Sequence, residues 1–279
     1  MSIKNFIPTI WSDLVNEAYA EASVFRPLMN TSYEGEISQY GDTVKINSIN
    51  DFSTTGYTGS VTYSEVDDAS LILSIDQKRY VAKSIDDVDK AQIKPKIAGE
   101  IARNFARAFV ADVETKVATL YADAGIVDGS SSSITSITSA NVISTFGDMA
   151  SAFDEADVPD DNRVAVVNPW LAQKIVLSGI IRDTSNSTIL SAGYLGNFQG
   201  FDVYKSNRIN HSSTTWYTPM FFRANDTLAM AEQIDEMEVL RLLDQFGDGM
   251  RELMVYGVKV VKPESLGVLY CAEGSESAI

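Results

Sequence analysis

The sequence predicts an α+β fold, with a helix-and-hairpin lobe joined to a mixed globular lobe. Three observations predict it. Residues 91–124 carry a long helical pattern. Residues 33–80 hold two β-rich runs around a polar stretch. The tail from Asp235 is strand-like. At 279 residues the chain is one large domain or two intimate ones. A chain near 300 residues buries about three quarters of its unfolded surface, so a core needs neither disulfide nor metal. With 45% apolar and 22% charged residues, wholesale disorder, collagen and a coiled-coil rod are excluded.

The first thirty residues form an amphipathic arm. Phe6, Ile7, Ile10, Trp11, Leu14 and Val15 recur at helical spacing after Pro8, and Pro27 closes the next segment. An isolated arm has little to bury itself against, so docking on the body or on a neighbour is expected. Thr43-Val44-Lys45-Ile46 and Ser70-Leu71-Ile72-Leu73-Ser74-Ile75 read as strands flanking the polar residues 50–68. An isolated hairpin is only marginally stable in water. It is therefore either a surface loop or an extension braced by another chain.

The longest helix follows. Ile93, Ile97, Ile101, Phe105, Phe109, Val113, Val117 and Tyr121 repeat every four residues. Ala98, Ala102, Ala106 and Ala108 permit close approach. Pro95 suits the first turn and Gly125 the stop. About 30 residues span roughly 45 Å, a spine for the domain. Residues 129–139 read as a Ser/Thr-rich connection between lobes. Beyond it come a helical stripe (Val142, Ile143, Phe146, Met149, Phe153), a buried-type strand at 163–167 and a short helix opened by Asn168-Pro169. Further strands are expected at 201–204, 216–222 and 228–231. Residues 237–246 fit helix or strand, residues 252–262 are strand-like, and Gly247-Asp248-Gly249 reads as the turn between them.

The charge is lopsided: 22 Lys+Arg against 38 Asp+Glu, net −16. Such a body repels phosphate backbones and anionic membrane surfaces, which disfavours a nucleic-acid reader or a membrane-surface protein. No run approaches the ~18–20 apolar residues of a membrane span. The single cysteine, Cys271, has no internal disulfide partner, which fits a reducing cytoplasm. The start MSIKNFIP lacks an apolar signal-peptide core, so the sequons at Asn30, Asn186, Asn210 and Asn225 read as chance.

Catalytic chemistry finds little purchase. His211, the one histidine, has no Cys, Asp or Glu within four residues and reads as a solvated loop residue. There is no Gly-x-Ser-x-Gly elbow and no Walker-type Gly-Lys-Ser/Thr. Cys271, in Val268-Leu269-Tyr270-Cys271-Ala272, reads as a small buried hydrophobe. Asp86, Asp87 and Asp89 could hold a divalent ion but read better as acids favouring the N-terminal end of the spine helix. Asp154, Glu155, Asp157, Asp160 and Asp161 lack the spacing and glycine of a calcium loop. Gly193, Gly196 and Gly200 lack the Gly-x-Gly core of a dinucleotide loop. No catalytic, cofactor or metal residues are assigned.

The order of parts resembles the major capsid protein of tailed bacteriophages. Phe6-Ile7-Pro8-x-Ile10-Trp11 resembles the opening of such subunits. Asn30, then Tyr33-Glu34-Gly35-Glu36-Ile37 and Tyr40-Gly41-Asp42-Thr43-Val44-Lys45-Ile46, resemble their stretch into the extended loop. Ile85-Asp86-Asp87-Val88-Asp89-x-Ala91-Gln92 resembles the run before their spine helix, and Tyr256-Gly257-Val258-Lys259-Val260 with Pro263-Glu264 their C-terminal strand. The resemblance implies the capsid-shell fold shared with the herpesvirus capsid floor and encapsulins. Residues 1–32 would be the arm and 33–80 the extended loop lying over a neighbour. Residues 81–134 and 232–279 would form the peripheral domain, and 135–231 the axial domain.

The implied function is a structural shell subunit, not an enzyme. It would assemble into pentamers and hexamers of an icosahedral virion capsid in the host cytoplasm, enclosing double-stranded DNA without sequence-specific contacts. Trp11, Gly56, Tyr57, Thr58, Asp76, Asp86 and Asp87 are the candidate inter-subunit residues. An encapsulin-like compartment and a metal-dependent hydrolase are the alternatives. Some shells of this fold cross-link through a loop lysine, but here no Lys or Arg occurs between Ile46 and Gln77, so non-covalent stabilisation is expected. The family-like start at Phe6 implies no fused scaffolding segment, hence a separate scaffolding protein beside the portal.

Overall fold

A computed structural model of the chain describes residues 19, 23–32, 43–49, 56, 68–86, 96–178, 194–212, 215–234, 238–242 and 247–275. Both expected β-runs form strands, β1 (Thr43–Ile49) and β2 (Asp68–Ser74). They pair antiparallel as a two-stranded ribbon from Thr43↔Ser74 to Ile49↔Asp68. After Ile75 and Asp76 the chain enters β3 (Gln77–Asp86). The spine helix α1 (Lys96–Ala118) then runs 23 residues, roughly 35 Å, and a 3-10 turn at Thr119–Asp123 extends it. Phe105, Phe109, Val113 and Val117 line its buried face, and Ala102 and Ala106 are buried beside them. Ala108 is exposed, because its position falls on the opposite side of the helix.

Two short strands follow, β4 (Ile126–Asp128) and β5 (Thr135–Ile137). The stretch expected to be a plain connection therefore contributes β5 to a sheet; its Ser/Thr content suits a strand edge as well as a linker. Helix α2 (Val142–Glu155) buries Val142, Phe146, Met149 and Phe153. Next come β6 (Arg163–Val167), buried throughout, and α3 (Pro169–Leu177). Asn168 precedes Pro169 in extended conformation, but its side chain makes no capping hydrogen bond. Strands β7 (Tyr194–Phe198) and β8 (Phe201–Lys205) form a hairpin through Gln199 and Gly200, at φ 51° and 84°. Two positive φ values mark the tight turn that matches strand twist. Gly196 and Gly200 thus serve a hairpin.

The remaining strands are β9 (His211–Ser212), β10 (Trp216–Tyr217), β11 (Met220–Arg223), β12 (Leu228–Ile234), β13 (Glu238–Arg241), β14 (Gly247–Val260), β15 (Leu266–Leu269) and β16 (Cys271–Glu273). The single strand expected at 216–222 is divided around Pro219, which cannot donate to a ladder. The ambiguous segment after Met237 is strand at β13. Gly247-Asp248-Gly249 is strand, not turn: Asp248 faces Arg241 on one side and Ile85 on the other. Two partner strands override the local turn preference of the glycines. Asp86 ends β3 opposite Gly247, so it belongs to a sheet and not to the start of the helix.

A six-stranded sheet runs β4-β15-β11-β6-β8-β7, and a four-stranded sheet β5-β16-β10-β9. The C-terminal strands β15 and β16 thus complete sheets whose other strands come from residues 126–223. A third sheet centres on β14, with β12 and β13 on one side and β3 on the other. Alternation divides the core. Val164, Val166, Met220, Phe222, Leu266 and Val268 face the spine helix and β14. Ala165, Val167, Phe201, Val203, Phe221 and Leu269 face α2 and α3. Both faces of the central sheet are covered, which is why β6 reads as a continuous apolar run. On the second side Phe146 and Phe201 meet Phe221 edge-on at 5.1 and 5.2 Å between ring centroids.

Candidate assembly surface

Among the described residues, the ribbon is seated on the β14 sheet through one face. Ile46, Leu73 and Ile75 pack on Ala229 and Ala231 of β12 and Val255 of β14. Small residues make this approach possible: a Cβ at Gly257 would collide with the Ser74 carbonyl. The opposite face of β2 points away from the body at Ile72, between Leu71 and Leu73. Ile72 is 46% exposed. A Cβ at Gly56 would meet nothing within 4 Å.

Strand β3 carries the chain from the ribbon into the β14 sheet over ten residue pairs, from Tyr256↔Gln77 to Gly247↔Asp86. Its inner face looks towards the spine helix. There Arg79 donates through Nε to Asp112 at 3.0 Å, and the Tyr256 hydroxyl donates to the same carboxylate oxygen at 2.6 Å. Burial, then this carboxylate, push the Tyr256 phenol above its ordinary pKa. Glu252 lies in the same row, between buried Met250 and Met254. It is 1% exposed, and neither carboxylate oxygen has a hydrogen-bond partner among the described residues. Burial lifts its pKa to about 7.

The root of the N-terminal arm docks on its own body. Tyr19, Phe25, Leu28 and Met29 are buried in the spine-helix core, and Phe25 stacks on Phe222 at 6.4 Å. Two buried carboxylates fasten it. Glu232 on β12 accepts from the Tyr19 hydroxyl at 2.8 Å and from Arg26 Nε at 2.5 Å. Glu114 on the spine helix accepts from the Val24 N–H at 2.7 Å and the Ser206 hydroxyl at 3.1 Å. Burial raises the Glu114 pKa, and these donors offset part of that. The 3-10 turn Arg26–Leu28 contains Pro27 and does not end on it.

Of the residues singled out from sequence, Trp11, Tyr57, Thr58 and Asp87 lie outside the described residues. Gly56 is exposed. Asp76, at the junction of ribbon and body, is exposed and pairs with Lys116 of the spine helix at 3.6 Å. Asp86 holds the far end of β3. Gly56, Asp76 and Asp86 mark separate points along the ribbon-to-sheet path. Sequence reasoning missed Glu114, Glu232, Glu252 and Tyr80; no local signal separates them from solvent-facing residues.

The acidic stretch after α2 serves arginines. Arg163 pairs with Asp154 at 2.8 Å and Asp160 at 2.9 Å, and donates to the carbonyls of Pro159 and Val158. Asp161 pairs with Arg223 at 2.6 Å, and Arg223 holds its carboxyl below the usual range. Cys271 is buried, as its apolar context predicts, and burial pushes its thiol pKa up. His211 is exposed beside Tyr217. No described helix is long and apolar enough to cross a membrane.

A family model described as phage capsid protein matches residues 70–269. No curated protein matches the chain in sequence. Among solved structures, a Mycobacterium phage Che8 chain is similar at 27% identity and TM-score 0.69, covering 88% of this chain and 90% of that one. The capsid of cyanophage P-SCSP1u is similar at 18% identity and TM-score 0.69, covering 91% and 89%. A virus-like particle from Pyrococcus furiosus, at 12% identity and TM-score 0.58, covers 94% and 98%, a likeness of fold.

Proposed function

This chain belongs to the phage capsid protein family, and from that membership we propose how its parts work. It is a structural major capsid protein, a subunit of the virion shell. Copies form pentamers and hexamers through heterologous contacts that close into rings and then a shell. Residues 1–32 act as the arm and 33–80 as the extended loop. Residues 81–134 and 232–279 make the peripheral domain and 135–231 the axial domain, with β15 and β16 tying the two together. The subunit works by geometry, with no catalytic step and no cofactor. Assembly takes place in the host cytoplasm, with a portal and a separate scaffolding protein as partners.

One observation supports this most: the ribbon packs on β12 and β14 through one face, while Ile72 on its other face and Gly56 are exposed. A two-stranded ribbon has little stability alone and gains it from a neighbour. Negative-stain microscopy with sedimentation of the purified protein should show closed shells or capsomers. A compact monomer persisting at high concentration would refute the reading.

The net charge of −16 suits a container that must fill with DNA without gripping it. Filter binding at low salt should show little DNA retained by assembled shells. Tight, salt-sensitive retention would contradict the non-adhesive wall.

A further inference from the structure

Two helices cover opposite sides of the six-stranded sheet, and each keeps an outward row. The spine helix α1 lies on the side of Val164 and Val166, and α2 on the side of Ala165 and Val167. With Ala102, Phe105, Ala106 and Phe109 of α1 turned inward, Arg103, Asn104, Arg107 and Ala108 are exposed. On α2, Phe146, Met149 and Phe153 are buried, while Ser144, Asp148, Ser151 and Glu155 are exposed. Residues three and four apart are neighbours on a helix surface, so each exposed set forms one continuous row.

The two rows carry opposite charge that their own chain does not use. Arg103 and Arg107 make no ion pair among the described residues, although the chain holds 38 acids against 22 bases. α2 carries Asp148, Asp154 and Glu155 and no base. Asp154 is taken by Arg163, and the Ser144 and Ser151 hydroxyls turn back to the carbonyls of Asn141 and Gly147. Asp148 and Glu155 are left without a partner among the described residues. A body of net charge −16 repels its own copies, so copies that meet need a local match of opposite sign. The bare arginines of α1 and the bare acids of α2 supply one. Ala108 on one row and Gly147 beside the other, where a Cβ would meet nothing within 4 Å, leave room for the helices to approach.

We propose that the outward row of α1, with Arg103 and Arg107, seats the outward row of α2, with Asp148 and Glu155, of a second copy. This rests on the capsid reading and names the helix faces and charges through which neighbours join. The two rows lie on opposite sides of the sheet, so the contact is heterologous and passes from copy to copy until a ring closes. Opposite charge steers the encounter, and like charge disfavours the reversed contacts of α1 on α1 and α2 on α2.

Two measurements test it. In the first, A108C and S151C subunits are assembled together and treated with a short bismaleimide; Cys271 is buried and shielded from the reagent. Mixed particles should give a covalent dimer joining position 108 of one copy to position 151 of another, and particles of either variant alone should give none. No dimer from the mixture, or a dimer from one variant alone, overturns the proposal. In the second, R103E/R107E should lower the assembled fraction about tenfold at low salt, with melting of the unassembled protein unchanged. Adding D148R/E155R to the same chain should restore assembly. Unchanged assembly, or a loss that the reversed acids do not restore, overturns the proposal while leaving the capsid reading intact. Unchanged assembly with less DNA retained assigns the arginines to phosphate instead. Failure of the unmodified protein to form shells overturns both.

Discussion

Tyr19 and Glu232 stand 213 positions apart, yet the phenol donates a 2.8 Å hydrogen bond to a carboxylate that Arg26 also engages. Glu232→Ala should leave the buried Tyr19 hydroxyl without its acceptor and remove one partner of Arg26, lowering stability by roughly 2–4 kcal/mol. Tyr19→Phe keeps the Arg26 contact and should cost about 1 kcal/mol. Urea unfolding of the unassembled protein checks both. Equal losses for the two variants would show that the carboxylate does not unite them.

Glu252 should make stability depend on pH. Its folded pKa, about 7, lies above the ordinary 4.5, so the folded chain holds the proton more tightly than the unfolded one. This contribution is complete below about pH 4.5 and is lost as pH rises through 7, by about 3 kcal/mol in all. Glu252→Gln should flatten the profile over that window and exceed the parent at about pH 8. Thermal melts across the window read it directly; parallel profiles would place the carboxylate in water.

Gly257→Ala should unseat the ribbon. The added methyl meets the Ser74 carbonyl backbone, which cannot step aside as a side chain would. A loss of roughly 1–3 kcal/mol is expected. Limited proteolysis should cut faster between residues 50 and 68. Unaltered cleavage would mean the strands shift without cost.

With no Lys or Arg from Asn47 to Asp76, the outer part of the loop supplies no amine for an isopeptide bond. Mature particles boiled in detergent should run as a single monomer band. A ladder of oligomers would reveal another covalent donor.

What the sequence disclosed depended on where the determining contacts lie. The stripe of α2 and the run Arg163–Val167 were legible, because their burial follows from helical period and from a sheet covered on both faces. The spine helix was legible in its buried row, while Ala108 belonged to the other side. Gly247-Asp248-Gly249 misled, since a turn preference acts locally and two partner strands outweigh it. The buried carboxylates were illegible: Glu114 and Glu232 are fixed by partners 90 and 206 positions away. Asp76 did fall at the junction of ribbon and body.

The placement of β15 has a bearing on synthesis. It lies between β4 and β11, strands made well before it, and β16 lies likewise between β5 and β10. Until the ribosome releases these late residues, β4 and β5 stand parted from the rest of their sheets. A nascent chain therefore lacks finished sheets until its last residues are made.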